Sequence, residues 1–124
     1  MVCRILLVGL IATMYGVAGA ESAAPSPEAA RGEARRVLRS AIQGAEPNLR
    51  WTALRAARVL KDPEVAEAVR PLAVDGERYE RSLAIETISN ADLPDSTGIY
   101  VAALSSPFRS VRLRGLRALA GDRQ

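Results

Sequence analysis

Apolar residues recur along this chain at helical spacing. Val37, Leu38, Ala41 and Ile42 share one side of a helix that opens at Ser26-Pro27 and stops at Gly44. After the turn Glu46-Pro47-Asn48, a second helix places Leu49, Ala53, Leu54, Ala57 and Leu60 on one side. Asp62-Pro63-Glu64 opens a third in a favourable order: a capping carboxylate, a proline whose missing donor is not needed there, and an acid at the positive helix end. Val65, Ala66, Val69 and Leu72 form its apolar side, and Pro71 must kink it or end it near Arg70. Asp75-Gly76 turns into a fourth helix over about Glu77 to Ser89. A connector from Asn90 to Ser96 leads to a fifth over Thr97 to Leu104, and Ser105-Ser106-Pro107 leads to a sixth over Arg109 to Ala120. Ile99-Tyr100-Val101 is the one strand-like triplet, too short to set against the helical pattern around it.

Three of these helices repeat one another. Leu49-Arg50-Trp51-Thr52-Ala53-Leu54, Glu80-Arg81-Ser82-Leu83-Ala84-Ile85 and Val111-Arg112-Leu113-Arg114-Gly115-Leu116 follow at intervals of 31 residues. Arg50, Arg81 and Arg112 occupy one column, Ala53, Ala84 and Gly115 a small-residue column, and Leu54, Ile85 and Leu116 an apolar one. Such a period marks stacked units that bury their apolar faces only against each other. The expectation is an all-α fold: a short α-solenoid of about three helical hairpins over residues 28–124, with repeats near 28–61, 62–92 and 93–124.

Helix pairs of this length, with Asp62-Pro63-Glu64-Val65 opening a first helix and a Val-Arg or similar pair followed by Ala-Leu in the second, resemble HEAT repeats. The short period is similar to the bacterial variety also found in phycobilisome lyase subunits. The resemblance implies a ladder in which an aspartate at the turn pairs with an arginine six residues later. Asp75 and Arg81 match it; Gly44 stands before Arg50 and Ser106 before Arg112, so there the ladder is broken or Asp75 serves a neighbour. On a helical wheel Arg50 lies between Leu54 and Ala57, on the buried side, so a carboxylate or the carbonyl end of a helix is expected to meet it. Arg50, Arg81 and Arg112 are read as structural.

The first residues carry a different signal. Arg4, an apolar run from Ile5, and Ala18-Gly19-Ala20 before the first acid, Glu21, have the three parts of a secretory signal peptide over residues 1–20, with residues 21–27 as a spacer. The apolar run is 16 residues, short of the about 20 of a spanning helix. Cleavage after Ala20 predicts a secreted or periplasmic protein without a transmembrane segment. It also removes Cys3, leaving neither cysteine nor histidine. That withdraws the usual general base, thiolate and nitrogen or sulfur metal ligands. No catalytic residue, metal or cofactor is therefore expected, and a lyase-type subunit, the reading nearest the family's enzymes, lacks its chemistry.

Charge is segregated. Arg31 to Lys61 carries eight bases and two acids, Asp62 to Asp95 nine acids and three bases, and Arg109 to Arg123 five bases and one acid, giving net charges of +6, −6 and +4. A balance this even overall gives no electrostatic case for nucleic acid. On the wheel, the side opposite the core of each second helix holds Trp51, Arg55 and Arg58, then Ser82, Glu86 and Ser89, then Leu113 and Arg117. Glu86 is expected to face solvent. Tryptophan and arginine are enriched where proteins bind one another, so Trp51, Arg55, Arg58, Glu86, Leu113 and Arg117 form the candidate partner-binding set. The function expected is a non-catalytic protein-binding scaffold or adaptor; the alternative is an envelope accessory whose arginines hold an anionic polymer or lipid headgroup. The sixth helix has more apolar residues (Val111, Leu113, Leu116, Leu119) than one core face uses, which points to self-association or a partner contact there.

Overall fold

The computed structural model describes residues 24–122, and within them the chain forms six α-helices and no strand. These are α1 (Pro27–Gln43), α2 (Pro47–Leu60), α3 (Pro63–Asp75), α4 (Arg78–Asn90), α5 (Thr97–Ala103) and α6 (Arg109–Leu119). The expected signal peptide and its cleavage site lie outside the described residues. None of the described helices is long and apolar enough to cross a membrane.

The chain divides into two compact units at Arg31. The described part of the first is residues 24–26 and the opening of α1, where the Ser26 hydroxyl accepts from the Ala29 amide at 3.1 Å. From Gly32 onward, the starts of α2 and α3 are fixed by carboxylate caps followed by proline. Glu46 accepts from the amides of Asn48 and Leu49, and Asp62 from those of Glu64 and Val65, which satisfies donors that have no partner inside the helix. The turn expected at Glu46-Pro47-Asn48 is thus the cap and first turn of α2. Asp62 has a second duty. Arg35 from α1 donates to it through both Nε and Nη2, the latter at 2.8 Å. That guanidinium, helped by the two backbone amides, holds the Asp62 carboxyl below the ordinary carboxylate range.

Pro71 does not stop α3, which continues to Asp75. The bond proline forfeits is the one to the Glu67 carbonyl, and both residues lie on the exposed side, where water can replace it.

Beyond α1, each first helix packs on the second helix that follows, α3 on α4 and α5 on α6, and the second helices pack on each other, α2 on α4 and α4 on α6. One core runs through these layers. Its fully buried residues include Leu54, Val65, Val69, Ala84, Ile85, Ile88 and Val111. The small-residue column lets helices approach closely. At Gly115 an added Cβ would stand 2.8 Å from both the Ala103 Cβ and the Tyr100 carbonyl oxygen. At the first-repeat end, where no described helix precedes α1 and α2, Val37, Leu49 and Leu60 are exposed, although their spacing placed them on core sides.

The connector from Ala91 to Ser96 is ordered by polar contacts. Arg70 of α3 donates to the carbonyls of Pro94 and Asp95 and to the Ser96 hydroxyl, which itself donates to the Leu93 carbonyl. Asp92 and Asp95 take left-handed backbone conformations there, which aspartate tolerates better than most residues.

Candidate functional site

The column of arginines is built differently from the ladder the resemblance implied. Arg50 Nε donates to the Gly44 carbonyl at 3.2 Å, Arg81 Nε to the Gly76 carbonyl at 2.7 Å, and Arg112 Nη1 to the Ser106 carbonyl at 2.8 Å. Each guanidinium reaches back to the turn before its own helix and satisfies a backbone acceptor. The Asp75 side chain is exposed, and no Asp75–Arg81 ion pair is present among the described residues. A carbonyl at the turn is available whatever residue stands there, so Gly44 and Ser106 break nothing. Arg50 meets a carboxylate as well, Glu80 of α4, at 3.0 Å.

The wheel's proposed surface is also redistributed. Trp51 and Arg55 stay together on the exposed side of α2, the Arg55 guanidinium 4.8 Å from the Trp51 ring centroid in a cation–π contact. Leu113 is exposed on α6. Glu86 does not face solvent: it is 6% exposed. The reason is that α4 is flanked by α2, α3 and α6, so residues 84–90 are all buried and a wheel with a single core side fails for this helix.

Buried Glu86 sits between arginines of both neighbouring second helices. Its Oε2 lies 3.6 Å from Arg58 Nη1 of α2 and 3.3 Å from Arg114 Nη2 of α6, in charge contact without a formed hydrogen bond. The two arginines keep 34% and 26% of their side chains exposed, so water reaches both. Beside this row, Asn90 donates its amide to the Arg58 carbonyl at 3.2 Å, filling an acceptor left open at the end of α2.

Two hollows open on either side of Glu86 and Asn90. One, an open groove of about 260 Å³, is lined by Arg58, Val59, Lys61, Glu86 and Asn90. The other is lined by the same pair with Ser89, Arg114, Arg117, Ala118 and Asp122. Four cations against two carboxylates leave this surface basic. Its chemistry is the capture of a carboxylate or another anion by guanidinium groups. Among the described residues, no group of three histidine, cysteine, aspartate or glutamate side chains could hold a metal ion.

Sequence reasoning named Arg58, Glu86 and Arg117 but missed Lys61, Asn90, Arg114 and Asp122 of this surface. The signal that could have found Arg114 is a second spacing. Arg58, Glu86 and Arg114 are 28 residues apart, one helical turn less than the 31-residue repeat, because each second helix meets the next on a diagonal. Compared with known proteins, the chain matches no family model and no curated sequence.

Proposed function

We propose that this chain is an exported, non-catalytic HEAT-like solenoid that binds an acidic segment of another protein along the groove around Glu86. The observation that carries this reading is the Arg58–Glu86–Arg114 row: a buried carboxylate holds two partly exposed guanidiniums in place, and Lys61 and Arg117 add two more cations at its edges. Arginines held by a second contact lose less freedom when a ligand arrives, which favours binding. The solenoid reading draws support from the 31-residue period and from the packing of every second helix on the next. The non-catalytic reading draws support from a sequence with no histidine and a single cysteine inside the expected leader.

Fluorescence anisotropy with a labelled Glu-rich peptide tests it, using the wild type and Lys61→Glu/Arg117→Glu. Each substitution puts an acid at a helix C-terminal end and Arg117→Glu faces Asp122, so the double variant should melt somewhat below the wild type while remaining folded at the assay temperature. The expected result is saturable binding that weakens with salt and falls at least about tenfold in the variant. Absence of binding at low ionic strength, or equal binding by the variant, would refute the proposal. Tighter binding to phosphatidylglycerol vesicles than to the peptide would move the groove to the anionic-headgroup reading.

A further inference from the structure

A second surface, on the far side of α6, carries its own signature. The helix packs inward through Val111, Arg114, Gly115 and Ala118. At 100° per residue the direction opposite Val111 is held by Arg109, Leu113, Leu116 and Ala120, spaced i, i+4, i+7 and i+11. All four are exposed, Leu113 at 41% and Leu116 at 56%, and Leu119 beside them is 40% exposed. This is the spacing of a seam between two packed helices, in which knobs from one enter holes of the other. Arg112 flanks the seam on one side and Arg117 on the other.

We infer that this seam docks an amphipathic helix of a partner protein, with apolar residues facing Leu113 and Leu116 and carboxylates facing Arg109, Arg112 and Arg117. The chain shows that chemistry internally. The helix that packs on arginine-bearing α2 and α6 is α4, and it meets them with acids: Glu80 on Arg50, and Glu86 on Arg58 and Arg114. A second copy of this chain is a poor occupant. Two α6 seams related by a two-fold axis would bring Arg109, Arg112 and Arg117 against their own kind, and a head-to-tail arrangement would set the +4 segment against the +6 segment. The partner is therefore acidic where this chain is basic.

The test uses a lactam-bridged helical peptide of about 18 residues with leucines at the matching seam spacing and glutamates flanking them, and a twin with lysines in place of the glutamates. Each is titrated by anisotropy into wild type, Leu116→Glu and Arg109→Glu. Arg109→Glu puts an acid at a helix start, where it is favourable, so the fold is kept. The expected result is binding of the glutamate peptide only, at least about tenfold weaker with Leu116→Glu, and a shift of preference toward the lysine peptide with Arg109→Glu. Equal binding of the two peptides by wild type, no saturable binding, or an unchanged affinity in Leu116→Glu would overturn the inference. So would light scattering that shows a wild-type dimer broken by Leu116→Glu. Arg117 borders both surfaces, so the groove is separated from the seam by Lys61→Glu alone, which touches no seam residue, while neither seam variant touches Arg58, Lys61 or Glu86.

Discussion

Gly115→Ala is a methyl group placed where two helices have no room for it. The new Cβ would stand 2.8 Å from the Ala103 Cβ and 2.8 Å from the Tyr100 carbonyl oxygen, closer than real Cβ atoms come. Neither neighbour is a flexible side-chain end, so α5 and α6 must separate by several tenths of an ångström. Overpacking of this kind costs about 1–3 kcal/mol. Replacing a helical glycine gains about 0.4–1 kcal/mol by restricting the unfolded chain. The overpacking term wins, for a net loss of about 1–2 kcal/mol and a fall in Tm of roughly 5–15 °C in a domain of this size. Gly98→Ala is the control, since Gly98 lies in α5 with nothing within 4 Å of an added Cβ; it should raise Tm by a few degrees. Thermal melts followed by circular dichroism read both. A Gly115→Ala variant as stable as the wild type would refute the close approach of α5 and α6, and two variants shifted in the same direction would refute the sign argument.

Glu86→Ala should lower stability by about 1–2 kcal/mol, less than the 3–5 expected for breaking a fully buried pair, because Arg58 and Arg114 can rehydrate; urea titration measures it, and an unchanged midpoint would show that the carboxylate holds nothing. Ala84→Arg should be worse, since Ala84 is fully enclosed and a guanidinium there is both oversized and unpaired; a melt equal to that of Glu86→Ala would contradict this. Because the Asp62 carboxyl is held below its unfolded value, its contribution is full above the ordinary carboxylate range and is lost as pH falls through the lowered one. The Tm gap between wild type and Asp62→Asn should accordingly be widest near neutral pH and shrink in acid, and a gap independent of pH would exclude the Arg35 contact as its source. Mass spectrometry of the envelope fraction should find a chain starting at Glu21, and an intact species retaining Met1 to Ala20 would exclude cleavage there.

Helix positions were largely legible from local chemistry. Pro63 behind Asp62, Gly44 after Ile42 and the apolar spacing of Val65, Ala66 and Val69 act within a turn or two of themselves, and α1, α3, α5 and α6 begin where those signals stand. The passage of α3 through Pro71 was not legible, because it depends on which side of the helix meets water. The site was half legible. A wheel assigns a helix one buried side, which serves α6 but not α4, whose Thr87, Ser89 and Asn90 are buried along with its apolar residues. That burial comes from neighbours far away in sequence. Only the 28-residue spacing of alternating charge records it locally, and a search tuned to the 31-residue repeat passes over it.

Among the described residues, polar contacts between second helices terminate on α4, at Glu80, Glu86 and Asn90. In the solenoid proposed above, stability is divided between what each unit contributes alone and what each interface adds. Here both sets of polar contacts end on one central helix, and no such contact between α2 and α6 is present among the described residues. Opening α6 severs one coupling, whereas opening α4 severs both. The amides of α4 should therefore be the slowest to exchange with deuterium, with protection falling toward both ends. The two surfaces proposed for binding would then differ in character: the groove is anchored on α4, the least yielding helix, with one wall on α6, whereas the seam lies on α6 alone.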